Sequence, residues 1–155
     1  QEGLAKVQEE QRQTILAANE KAEATIKAAQ QEAQEYVQQA EQQIVDIAMK
    51  VAEKIIPQHF IDVPQVVLPL VRKCLLKIKD QNEVIVHVHP DAYEMVLLAK
   101  GEFQSMLEGN ARLEVQSDES LKPGDCVLES PNGNVDAKLE TQLQLVKNAI
   151  QEVMP

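Results

Sequence analysis

Tryptophan is absent from these 155 residues, and phenylalanine and tyrosine occur twice each. So few aromatics suit Ala- and Leu-rich helices better than the large core of an enzyme. Basic residues are also scarce: 15 lysines and arginines face 25 acids, for a formal net charge of -10. Such a surface repels phosphate backbones, which disfavours nucleic-acid binding. No run of about 18 apolar residues exists, so no direct membrane insertion is expected. The start, Gln1-Glu2-Gly3, lacks the charged-then-apolar plan of a secretory signal. It also lacks an initiator methionine, so the chain is expected to begin inside a longer protein, after an N-terminal segment. The two cysteines, Cys74 and Cys126, are far apart and fit no metal spacing, which points to a reducing cytoplasm.

Proline is missing from residues 1–56, and glycine occurs there once, at Gly3. Gln, Glu, Ala and Lys fill the stretch, all acceptable helix formers. An uninterrupted helix here would reach roughly 80 Å, and the first breaker is Pro57. Its apolar stripe runs Leu4, Val7, Ile15, Ala18, Ala22, Ile26, Ala29, Ala33, Val37, Ala40, Ile44, Ala48, Val51 and Ile55. With Gln11 in the one polar slot, the steps are 3, 4 and 4, repeated to the end. That eleven-residue period is slightly longer than three α-helical turns, so paired helices would wrap with a right-handed supercoil. Small residues at Ala18/Ala22 and Ala29/Ala33 would let the backbones approach closely. The heavier cluster Ile44, Ile47, Val51 and Ile55 would anchor the pair. A heptad coil with irregular steps and a lone solvated helix are the competing readings.

From Pro57 onward the texture changes: six of the seven prolines lie between 57 and 131, and β-branched runs appear. Residues 64–79 read as an amphipathic helix with Asp62 as a possible cap. The alternation in 83–89 reads as a strand, and Pro90 to Leu107 as a helix closed by Gly109-Asn110. Residues 111–116 read as a second strand. A hairpin follows, with arms 126–130 and 134–138 around Pro131-Asn132-Gly133. Residues 139–154 form a last helix with Leu139, Leu143, Val146 and Ile150 on one face. The expected fold is therefore α+β: a coiled-coil stalk helix over 1–56, then a small two-layer α/β head with a mixed sheet over 57–155.

Chemistry-bearing motifs are few. His87 and His89 share one face of the expected strand, but no third ligand accompanies them, so sheet-packing or surface histidines are the better reading. Cys74 reads as a core thiol and Cys126 as packed rather than nucleophilic, with no base near in sequence. Walker, Rossmann and Gly-x-Ser-x-Gly patterns are all missing. No catalytic residue, metal site or cofactor is expected, and the chain reads as a non-enzyme.

The stretch Leu121-Lys-Pro-Gly-Asp-Cys-Val-Leu-Glu-Ser-Pro-Asn-Gly-Asn-Val-Asp-Ala-Lys-Leu-Glu-Thr-Gln-Leu-Gln-Leu-Val146 is more specific. It resembles the C-terminal signature of the FliH family, through Gly124, Cys126, Glu129, Gly133, Asp136, Ala137, Gln142 and Leu143. Residues 84–91 and 47–55 are similar to that family as well. Asp125 departs from the pattern, standing where the family has a second glycine before the cysteine, and the coil carries alanine where many members repeat glycine. Injectisome stators and a peripheral-stalk component of archaeal and vacuolar rotary ATPases share the plan. Cys126 and the Asp136-Ala137 pair favour the type III branch, and the flagellar system within it.

The resemblance implies a homodimeric, non-catalytic regulator of the flagellar type III export ATPase, a peripheral-stalk-like tether binding the N-terminal part of one ATPase subunit. It implies a cytoplasmic position, peripheral to the inner membrane at the flagellar base, with docking to the export apparatus or motor ring through an N-terminal segment outside this chain. The helix of Leu139, Leu143, Val146 and Ile150 is the candidate ATPase-binding element. A generic coiled-coil scaffold is the reading from a different class.

If the stripe is a dimer seam, Ile26→Asp or Val37→Asp buries a charge in it and weakens self-association. Sedimentation at tens of micromolar should show the shift toward monomer; unchanged profiles in both variants would mean that the seam lies elsewhere.

Overall fold

A computed structural model describes residues 1–154, and its fold is α+β. The chain clusters into two units, Gln1–Asp46 and Ile47 onward. Helix α1, Glu2–Asp62, runs through both.

In the first unit every residue from Gln1 to Gln39 is exposed. Its polar side chains bond within the helix: Arg12 meets Glu9 at 3.1 Å, and Thr14 and Thr25 donate back to the carbonyls of Glu10 and Lys21. These local contacts leave the apolar stripe uncovered, with Leu4, Ile15 and Ile26 each more than half exposed.

Contrary to the sequence expectation, Pro57 does not end the helix, which continues to Asp62. Proline removes one backbone donor from the ladder, but Phe60, one turn on, packs against the head's core. That tertiary contact outweighs the lost bond, and Val63 N–H closes the last turn on the His59 carbonyl. Asp62 therefore caps nothing downstream; its carboxylate accepts from Gln58 within the same helix.

A 3-10 turn, Pro64–Val66, leads into α2, Val67–Lys77. Strand β1, Glu83–Val88, is followed by α3, Pro90–Leu98, and α4, Lys100–Ser105. The single helix expected over 90–107 is thus two, divided at Ala99 (φ -86°, ψ 0°) beside the weak helix former Gly101. Strands β2, Arg112–Ser117, β3, Cys126–Ser130, and β4, Gly133–Asp136, then precede α5, Leu139–Val153.

The sheet order is β2-β1-β3-β4. It is mixed: β1 pairs β2 in parallel across the α3–α4 crossover, and β1–β3 and β3–β4 are antiparallel. Period-2 alternation sends Val84, Val86, Val88, Leu113, Cys126 and Leu128 to one face, where Val67, Val71 and Leu75 of α2, Val96 of α3 and Phe103 of α4 meet them in a single buried cluster. Across the top of that helical layer, Arg72 of α2 holds Glu102 of α4 at 2.7 Å and lies 6.0 Å from the Phe103 ring centre. The opposite sheet face carries exposed Glu114, Glu129, Asn134 and Asp136.

Both cysteines sit in the core, Cys74 at 3% and Cys126 at 0% exposure. Burial pushes both thiols above their ordinary range, and the nearby Cys74 and Asp125 push Cys126 up further. The unfolded chain would therefore release thiol protons that the folded chain keeps. Stability should fall as pH rises above the unfolded thiol value of about 8.5, by about 1.4 kcal/mol per pH unit for the fully buried Cys126, with a further contribution of the same sign from Cys74. Urea unfolding at pH 8, 9 and 10 measures this, and replacing both cysteines with alanine should flatten the slope.

Candidate interaction site

The short sequence Lys122-Pro123-Gly124-Asp125 forms a turn, closed by the Asp125 N–H donating to the Lys122 carbonyl at 3.0 Å. Gly124 has φ +86°, a left-handed conformation open to glycine at little cost. A Cβ there would lie 2.5 Å from Phe60 Cγ and 2.8 Å from Leu139 Cδ1. The last turn of α1, this loop and the first residue of α5 thus converge on one backbone point.

Asp125 is the one buried charged residue among those described, at 7% exposure. Its carboxylate satisfies two separate segments: Lys122 N–H donates to Oδ2 and Leu139 N–H to Oδ1, each at 2.9 Å. Leu139 opens α5, so the bond settles one of the amides that every helix start leaves without a partner. The N-cap residue, Lys138, supplies no side-chain cap. A second carboxylate completes the arrangement: Asp136 accepts from Lys138 N–H at 2.9 Å and from the Thr141 hydroxyl at 3.1 Å. Two negative charges at the positive end of α5 also suit its macrodipole. Between them, Ala137 is fully buried, its N–H donating to the Cys126 carbonyl at 2.9 Å.

Four of the eight signature residues, Gly124, Cys126, Asp136 and Ala137, therefore gather at the start of α5. The others are dispersed. Glu129 stands on the open sheet face, 2.9 Å from His87 Nε2. Gly133 (φ +137°) turns the hairpin, its carbonyl accepting from Ser130 Oγ. Gln142 and Leu143 lie half-buried on α5. His87 and His89 do not act together: β1 ends at Val88, and His89 caps α3 by accepting from Asp91 N–H at 3.1 Å. Among the described residues no three His, Cys, Asp or Glu side chains could hold a metal ion.

Phe60 and Asp125 belong to this joint and escaped sequence reading. Asp125 stood out as a departure from a glycine pattern. The available signal was Lys138: a helix start without Ser, Thr, Asp or Asn at its cap must draw its acceptor from elsewhere.

On α5, Leu139, Leu143 and Ile150 are half-buried, while Val146 is 51% exposed. The apolar face left open is instead Leu145, Val146 and Val153, with Val153 at 83%. Within the head, the end of α1 is similarly two-sided. Met49 is buried and Ala52 and Ile56 half-buried, whereas Ile47, Val51 and Ile55 are exposed. Of the fourteen stripe residues, all but the half-buried Ala40 are exposed in the single chain. No helix among the described residues is long and apolar enough to cross a membrane.

The model of the family described as flagellar assembly protein FliH matches residues 16–146. A probable flagellar assembly protein FliH of Bacillus subtilis is 32% identical over 106 residues, 68% of this chain and 50% of the relative. Flagellar assembly protein FliH of Borreliella burgdorferi is 27% identical over 103 residues, 66% of this chain and 34% of its own. A type 3 secretion system stator protein of Yersinia enterocolitica is 26% identical over 109 residues, 70% and 48% of the two chains. The chain spans half or less of the length of these relatives.

Proposed function

The chain belongs to the flagellar assembly protein FliH family, and from that premise we propose that two copies together regulate and tether the flagellar type III export ATPase without catalysing a reaction themselves. The observation that carries this reading is the family match across 131 residues, 16–146, which takes in most of the long helix and all of the α5 joint.

The chain's own residues supply a physical basis for each part. The uncovered stripe from Leu4 to Ile55 is apolar surface that a second copy would bury, in a right-handed pair set by the 3-4-4 spacing. Alanines at the middle of the seam give a slim contact with modest stability per turn. The N-terminal part of an ATPase subunit would meet the outward face of α5, formed by Leu145, Val146 and Val153. In this reading the pair acts in the cytoplasm at the flagellar base, holding the ATPase as a peripheral stalk holds a rotary motor.

The Yersinia stator relatives favour a second reading, in which the export system served is an injectisome. The residues engaged would be the same, and only the cognate ATPase differs.

Co-purification with the flagellar export ATPase tests the main reading. The intact chain should retain the ATPase, and removal of residues 139–155 should abolish retention. Leu145→Asp with Val146→Asp leaves the fold intact, because both side chains are solvent-exposed. It should weaken binding at least about tenfold, equivalent to about 1.4 kcal/mol. Failure of the intact chain to bind would refute the function; undiminished binding by the double variant would move the contact off α5.

A further inference from the structure

We propose that Gly124 and Asp125 are positioning residues that fix the direction of α5 against the last turn of α1, so that α5 and that last turn move as one body. This rests on the proposed role of α5 as the surface offered to the ATPase, and it adds how that surface is held.

No residue of α5 is fully buried. A fifteen-residue helix in water is marginal by itself, and a half-buried stripe constrains its rotation about its own axis better than its direction. Its root adds a constraint on that direction. An ordinary helix takes its cap from the residue just before it, which ties the helix only to its own connection. Here that position is Lys138, with suitable extended backbone (φ -62°, ψ 146°) but no capping side chain. The bond to Leu139 N–H comes instead from Asp125, fourteen residues earlier, on the far side of the β3–β4 hairpin. The other oxygen of the same carboxylate is held by Lys122 N–H, so the acceptor cannot swing with the helix.

Gly124 extends the tie to α1. Phe60 and Leu139 occupy the place where its Cβ would be, one from each helix. Phe60 is itself lodged against the core, so displacing Leu139 requires moving either the loop or the end of α1. A local cap would stabilise α5 equally well without coupling it to anything. The long-range route is what ties α5 to the last turn of α1.

The test separates coupling from capping. Spin labels on Lys54→Cys in α1 and Asn148→Cys in α5, both at exposed sites, report the angle between the helices. The labelled full chain is diluted into unlabelled chain so that only intramolecular distances count. The buried, protonated native thiols stay unlabelled. The parent should give one narrow distance. Asp125→Ala should lose it, and the shape-conserving Asp125→Asn should lose it in part, which keeps the test open if the alanine variant folds poorly. Adding Lys138→Ser to Asp125→Ala supplies a local cap; it should restore thermal stability while the distance stays broad. A narrow distance in Asp125→Asn and Asp125→Ala, or its return with Lys138→Ser, would overturn the proposal and reduce Asp125 to a helix cap. No ATPase enters this measurement, so its failure is distinct from failure of the export reading.

Discussion

A carboxylate taken out of water must be given hydrogen-bond donors, and in this chain the donors of Asp125 come from the turn before β3 and from the start of α5 after β4. An ionised side chain at 7% exposure without partners would cost several kcal/mol. The cost is avoided only when the 122–125 turn and the start of α5 are both in place. That requirement orders the rest of the head. The turn needs a left-handed residue, which makes Gly124 glycine; the absent Cβ makes room for Phe60; and Phe60 in the core carries α1 five residues past its proline.

The same logic explains why α1 changes character along its length. In the first unit its stripe is apolar but uncovered, and its other side chains look after themselves through local hydrogen bonds. In the second unit one side of the helix, marked by Met49 and Ile56, turns into the head, while Ile47, Val51 and Ile55 stay outside. A single helix thus leaves an apolar stripe exposed and, in the second unit, gives its own domain a foundation.

Much of this was legible in the residues. The 3-4-4 spacing identified the stripe, and the alternation at 83–88, the Pro131-Asn132-Gly133 turn and the stripe of α5 placed the head's elements to within a few residues. The failures share one cause, which is that tertiary contacts overrode local signals. Pro57 is a valid breaker until Phe60 is packed. Residues 90–107 keep a helical pattern across Ala99, yet the chain bends there. His89 continues the alternation of β1, but the strand gives way to a helix that needs a cap. At the joint, Gly124 and Asp136 were visible through resemblance alone; Asp125 looked like an exception because it stands where the family has a glycine, and its bond to Leu139, fourteen residues on, left no mark in the sequence.

The interaction at the root of this arrangement has a direct signature in amide hydrogen exchange. The first amides of an exposed helix ordinarily exchange freely, since no intrahelical acceptor protects them. If Asp125 holds α5, the Leu139 and Lys122 amides exchange as slowly as the amides of β3 in residue-resolved measurements on the intact chain. Exchange of Leu139 at the rate of the uncapped start of α1 would show that the carboxylate does not grip the helix, and the joint would lose its foundation.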